Sequence, residues 1–117
     1  MGASASGITA LVGEPLSGVG FVQDYVEFYF DGKILRAIAP PTLLASGRSF
    51  TFPDKGSRDA MCERIGRRVE ELLLKDEEAI VLLLEGGDRL SVPLSGPHAT
   101  PEAAHYVPGW GQPIEVW

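Results

Sequence analysis

Residues 25–30 read YVEFYF: Val26, Phe28 and Phe30 alternate with Tyr25, Glu27 and Tyr29. A period of two is what a half-buried strand requires, with one set of side chains in a core and the other on the opposite face. Asp31-Gly32 follows. Both residue types tolerate positive φ, so the pair predicts a two-residue hairpin turn. A return strand over residues 33–39 then ends at Pro40-Pro41.

The second half of the chain repeats this order. Gly66, a short apolar segment, an acidic interruption, the apolar run 79–84, the turn Gly86-Gly87 and a return run over 90–94 follow one another. In the first half the equivalents are Gly18 with 19–22, Gln23-Asp24, 25–30, Asp31-Gly32 and 34–38. The pattern predicts two copies of a three-stranded antiparallel meander that share one core.

Between the copies lies DKGSRDAMCERIG. Ser57 is a capping residue type, Asp59 suits the positive end of a helix, Met61 and Ile65 fall on one face, and Gly66 is a natural stop. A short helix over 57–66 is predicted. Val69, Leu72 and Leu73 continue the same helical spacing, so a single helix over 57–75 competes with a strand over 67–75. The repeat and the break at Gly66 favour the strand.

After the second meander, Thr100-Pro101-Glu102 has the form of a helix start and predicts a one-turn helix over 101–105. Residues 107–111 form a turn-rich bend, and Ile114, Glu115, Val116 and Trp117 alternate as a final strand that pairs and buries most of the Trp117 indole. The predicted architecture is an α+β fold in a single domain. It has a flexible tail (1–7), a first meander (16–41), a helix (57–66), a second meander (67–95), a flap (97–111) and a closing strand (113–117).

The length of 117 residues suits one domain with one core. The longest apolar run has six residues, 79–84, against about 20 for a spanning helix, so no membrane segment is predicted. A formal charge of −6 argues against nucleic acid and leaves a basic protein as a partner class. Arg64, Arg67 and Arg68 are the one basic cluster, and Glu63, Glu70 and Glu71 flank it. A single cysteine, Cys62, rules out an internal disulfide and fits a cytoplasmic setting. The MGASAS start lacks the features of a secretory signal; Gly2 and Ser6 match a permissive myristoylation pattern, with a plain tail of small residues as the alternative.

Several constellations bear on chemistry. His98, Glu102 and His105 would share one helix face at metal-ligand spacing, but Pro101 interrupts that face, so neither metal nor cofactor is predicted. Cys62 beside a histidine would make a nucleophile and base, whereas a cysteine on the apolar side of a short helix reads as core. Gly18-Val19-Gly20 lacks the third glycine of a dinucleotide loop. Catalytic residues are therefore not assigned.

Two surfaces remain. Tyr25, Glu27 and Tyr29 form a mixed aromatic and acidic patch of a kind enriched at interfaces, and a self-complementary patch would most readily give a homodimer. Alternatively, His98, Glu102, His105, Tyr106 and Trp110 line a small-molecule pocket or an enzyme site beneath the flap.

The stretches FVQDYVEFYFDG, SRDAMCERIGRRV, LLEGGDRLSVPL and PEAAHY with a terminal EVW resemble a loose group of small bacterial proteins of unknown function. The similarity covers most of the chain from Gly18 onward. It implies the same paired hairpins and carries no activity, cofactor or site residue. By type, such small acidic proteins resemble products of mobile bacterial genes, toxin-neutralising proteins among them. The leading expectation is a noncatalytic protein-interaction module.

Overall fold

In the computed structural model, residues 7–75, 78–96, 102–109 and 111–117 are described. The first meander forms as its alternation requires: β1 (Gly18–Val22), β2 (Tyr25–Phe30) and β3 (Lys33–Ala37) pair antiparallel in order. Val26, Phe28 and Phe30 are fully buried. The tight turn between β2 and β3 has φ of 51° at Asp31 and 96° at Gly32, the left-handed pair that matches the twist of adjoining strands.

A second hairpin follows at once: β4 (Thr42–Ala45) and β5 (Arg48–Thr51), joined through Ser46 and Gly47 at φ 53° and 76°. Next come α1 (Ser57–Cys62) and the second meander, β6 (Val69–Lys75), β7 (Ala79–Leu84) and β8 (Arg89–Pro93). The chain closes with β9 (Ala104–Val107) and β10 (Glu115–Val116). Residues 69–75 thus form a strand paired with β7 and do not prolong α1, while Arg68 makes an isolated bridge to Pro15.

The strands form two antiparallel five-stranded sheets, β1-β2-β3-β9-β10 and β5-β4-β8-β7-β6. Their orders show an exchange between the halves. The hairpin after the first meander joins the second meander's sheet through β4 and β8, and the hairpin after the second joins the first through β9 and β3. Each sheet is completed by the other half of the chain. Phe28, Phe30 and Leu35 from one sheet meet Leu43, Ile80, Leu82, Leu84, Leu90 and Val92 from the other in a single buried cluster.

Two short helical segments also feed this core. A 3-10 turn, Gly7–Leu11, contributes Ile8 and Leu11, and α1 contributes Ala60 and Met61. Beside α1, Phe21 stacks on Phe52 with centroids 5.9 Å apart, and Arg58 lies over both rings. Among the described residues no helix is long and apolar enough to cross a membrane.

Four expectations need correction. The helix is six residues long and is capped by Gly56 in the left-handed conformation; the Ser57 hydroxyl instead donates to the Asp54 carbonyl at 2.7 Å. Because the helix stops at Cys62, Ile65 leaves the Met61 face and is 46% exposed. Cys62 itself is exposed, not core. In the flap, the described part of the one-turn helix at 101–105 is extended, because β9 gains a full ladder with β3, from Ile34 opposite Val107 to Ala37 opposite Ala104. Pairing outweighs the helix preference of Glu-Ala-Ala there. The closing strand pairs as anticipated, and Trp117 is half-buried against the core with its backbone bonded to Ala103 and Ala104. Of the expected 1–7 tail, residues 1–6, Gly2 and Ser6 among them, lie outside the described residues, whereas Gly7 opens the 3-10 turn with its N–H bonded to Glu115.

Candidate functional site

Strand register decides which side chains meet on the outer face of the first sheet. A two-residue turn at 31–32 places Glu27 opposite Arg36, and the β3–β9 ladder places Arg36 opposite His105. The three form one cross-strand row. Arg36 Nε donates to Glu27 Oε2 at 2.8 Å, and Tyr29 Oη donates to Glu27 Oε1 at 2.9 Å. Arg36 Nη1 lies 3.1 Å from His105 Nδ1. A guanidinium can only donate, so Nδ1 accepts and the ring proton sits on Nε2, which donates to Glu102 Oε1 at 2.7 Å. The Tyr25 ring lies 6.0 Å from the Arg36 guanidinium carbon.

The Arg36 guanidinium holds the Glu27 carboxyl below the usual glutamate range, against a smaller opposing effect of burial, with Tyr29 also contributing. The carboxylate in turn pushes the Tyr29 hydroxyl up. Tyr25, Glu27 and Tyr29 are therefore brought together as anticipated, and Arg36 and His105 join them. Arg36 was legible in principle, since a two-residue hairpin turn fixes every cross-strand partner.

The anticipated pocket lining is divided by strand alternation. In β9, His105 faces outward with Glu102, while Tyr106 points inward and is 1% exposed. His98 and Trp110 lie outside the described residues. Tyr106 does line a cavity of about 360 Å³, with Gly7, Ala10, Lys33, Pro108, Gln112, Pro113 and Glu115 as the other walls. Lys33 Nζ is bonded to Glu14 Oε2 at 2.6 Å, which raises the ammonium's pKa. Glu115 accepts the backbone N–H groups of Gly7 and Ile8 at 3.0 and 2.8 Å, fixing the 3-10 turn to β10.

The arginine cluster is occupied within the fold. Arg64 Nε and Arg67 Nη1 lie 3.1 and 3.2 Å from Asp88 Oδ2, although Arg64 Nε is not aligned for a hydrogen bond. Arg68 donates to the Gly13 carbonyl at 2.7 Å.

The outer face of the second sheet was not anticipated. In β7, Ile80, Leu82 and Leu84 enter the core, so Val81 and Leu83 face the other way. Leu73 is paired with Val81 there, and Leu83 sits in a row between Glu71 on β6 and Arg89 on β8, with Leu44 beyond. A strand apolar on both faces is the signature of burial from both sides. The run AIVLLL carries that signature, yet among the described elements both helical segments send their buried residues into the core between the sheets. No family model matches the chain, and searches of curated proteins and of solved structures found no match.

Proposed function

We propose that the chain is a noncatalytic protein-interaction module that works as a two-fold homodimer, pairing through the outer face of the second sheet. The observation that supports this most directly is the apolar outer side of β7 and its neighbours: half-buried Leu83, continued past Arg89 by Leu44, which is 43% exposed, with half-buried Leu73 and the nearly buried Val81 (7% exposed) in the adjoining row. A contiguous apolar area on a sheet face is a feature of association sites. Charge supports a second copy as the occupant. A two-fold axis running along β7 stacks β6 of one protomer over β8 of its partner, so Glu71 of each meets an Arg89.

The first sheet's face is then left for a different protein. Its row is charge-paired internally and flanked by Tyr25, Tyr29 and the exposed Val22 and Val116, a rigid mixed surface suited to recognition. Sedimentation velocity over a concentration series tests the dimer. The wild-type chain should pass from monomer to dimer, and Leu83→Lys should remain monomeric with its circular dichroism unchanged. A wild-type chain that stays monomeric at millimolar concentration would overturn the reading.

A further inference from the structure

The cavity walled by the 3-10 turn, Lys33, Tyr106, Pro108 and Pro113 presents a hydroxyl that no other described residue engages. Tyr106 is 1% exposed, lines the cavity, and its hydroxyl has no hydrogen-bond partner among the described residues. Among the described residues only Arg64 Nε is a buried polar atom without a partner, so the little exposure that Tyr106 keeps lies at its hydroxyl, which opens into the cavity and is free to donate to a molecule held there. Burial is also the main cause that raises the Tyr106 pKa, so the group stays protonated and can donate.

The other charges on the walls are already matched. Lys33 is held by Glu14 at 2.6 Å, and the Glu115 carboxylate takes two backbone N–H groups. An anion would meet Glu115 with no uncompensated cation beside it. A cation would find both nearby carboxylates engaged. Ala10, Pro108 and Pro113 supply apolar walls. The volume falls within the range of small-molecule sites, roughly 300–1,000 Å³.

We infer that this cavity is a binding site for a small neutral molecule with an apolar body and one hydrogen-bond acceptor, its acceptor seated on the Tyr106 hydroxyl and its body between Ala10, Pro108 and Pro113. The inference is independent of the dimer, since none of these residues lies on the outer face of the second sheet.

Benzamide, with a carbonyl acceptor, and ethylbenzene, with none, are suitable probes. Titration of the ¹⁵N-labelled full chain should shift the amides of Ala10, Lys33 and Gln112 with both. Tyr106→Phe keeps the apolar wall and removes the donor, so it should weaken benzamide about fivefold, in line with one net hydrogen bond, and leave ethylbenzene unchanged. Ala10→Phe, a change at an exposed position of the turn, should fill the cavity and abolish both. Benzamide shifts that map elsewhere, equal weakening of both probes by Tyr106→Phe, or undiminished binding in Ala10→Phe would each overturn the assignment.

Discussion

The Tyr29 ring lies flat over Gly20 of the neighbouring strand, so closely that a Cβ built on Gly20 would overlap the Tyr29 hydroxyl. The same ring passes 3.1 Å from the Cβ position of Gly18. Two glycines in β1 thus make the groove that lets Tyr29 reach Glu27 on its own strand. Gly20→Ala should push the ring out, break the Tyr29–Glu27 hydrogen bond and cost about 1–2 kcal/mol in urea unfolding, the usual scale of overpacking. In a Tyr29→Ala background the same change should cost almost nothing, because the obstruction has gone. A double-mutant cycle measures the difference, and additive effects would contradict the contact.

Glu27 sets the pH response of this face. Its pKa is lowered in the fold, chiefly by the hydrogen bond from Arg36. The folded state therefore favours the carboxylate, and the stability this gives is present above the ordinary glutamate range and is lost as pH falls through the depressed value. Glu27→Gln should unfold more easily than wild type at neutral pH, with the two stability curves converging in acid. Tyr29 adds the opposite limb. Its raised pKa, caused first by the Glu27 hydrogen bond, gives stability present below the ordinary tyrosine range and lost as pH rises through the folded-state value. Tyr29→Phe should flatten that alkaline limb.

Asp88 is the anion that two arginines share at the turn between β7 and β8. Its side chain is 10% exposed, and those of Arg64 and Arg67 are 15% and 37% exposed. Asp88→Asn keeps the shape and removes the charge, leaving the poorly solvated Arg64 guanidinium and the more exposed Arg67 without their shared anion. The cost should lie between that of breaking a surface pair and a fully buried one, about 2 kcal/mol, read from the urea midpoint. Replacing Arg67, the more exposed partner, with Gln should cost less than replacing Asp88.

Local chemistry made some elements legible and hid others. Both meanders could be read because each strand alternates or runs apolar between unmistakable turns, and Asp31-Gly32 fixed the register as well as the bend. The β4–β5 hairpin escaped the same reading although Ser46-Gly47 forms the same left-handed turn. Thr42, Leu43, Leu44 and Ala45 do not alternate cleanly, and serine is a weaker sign of positive φ than asparagine or aspartate. At β9 the local sequence pointed to helix, and only a partner nearly 70 residues away, Arg36 opposite His105, makes it a strand. That reversal also divided the expected pocket, sending His105 out and Tyr106 in. Which half completes which sheet depends on these long-range pairings, and periodicity does not encode them.

The two-fold arrangement predicts a rescue that non-specific hydrophobic association would not produce. In each protomer Glu71 and Arg89 flank Leu83 within one cross-strand row. With the axis along β7, Glu71 of one protomer faces Arg89 of its partner at two equivalent places. Glu71→Arg alone sets like charges together twice and should weaken the dimer at least tenfold at low salt, because each such juxtaposition costs a substantial fraction of the binding energy. Arg89→Glu alone should do the same. The double variant restores opposite charges with their positions exchanged, and it should recover the wild-type dissociation constant within about threefold, since exposed ion pairs tolerate reversal. Raising the ionic strength should shrink all these differences. Sedimentation equilibrium of the four proteins at two salt concentrations reads the result. If the double variant is as weak as either single one, these charges do not face each other and the axis runs elsewhere; recovery ties the contact to β6 crossing over β8.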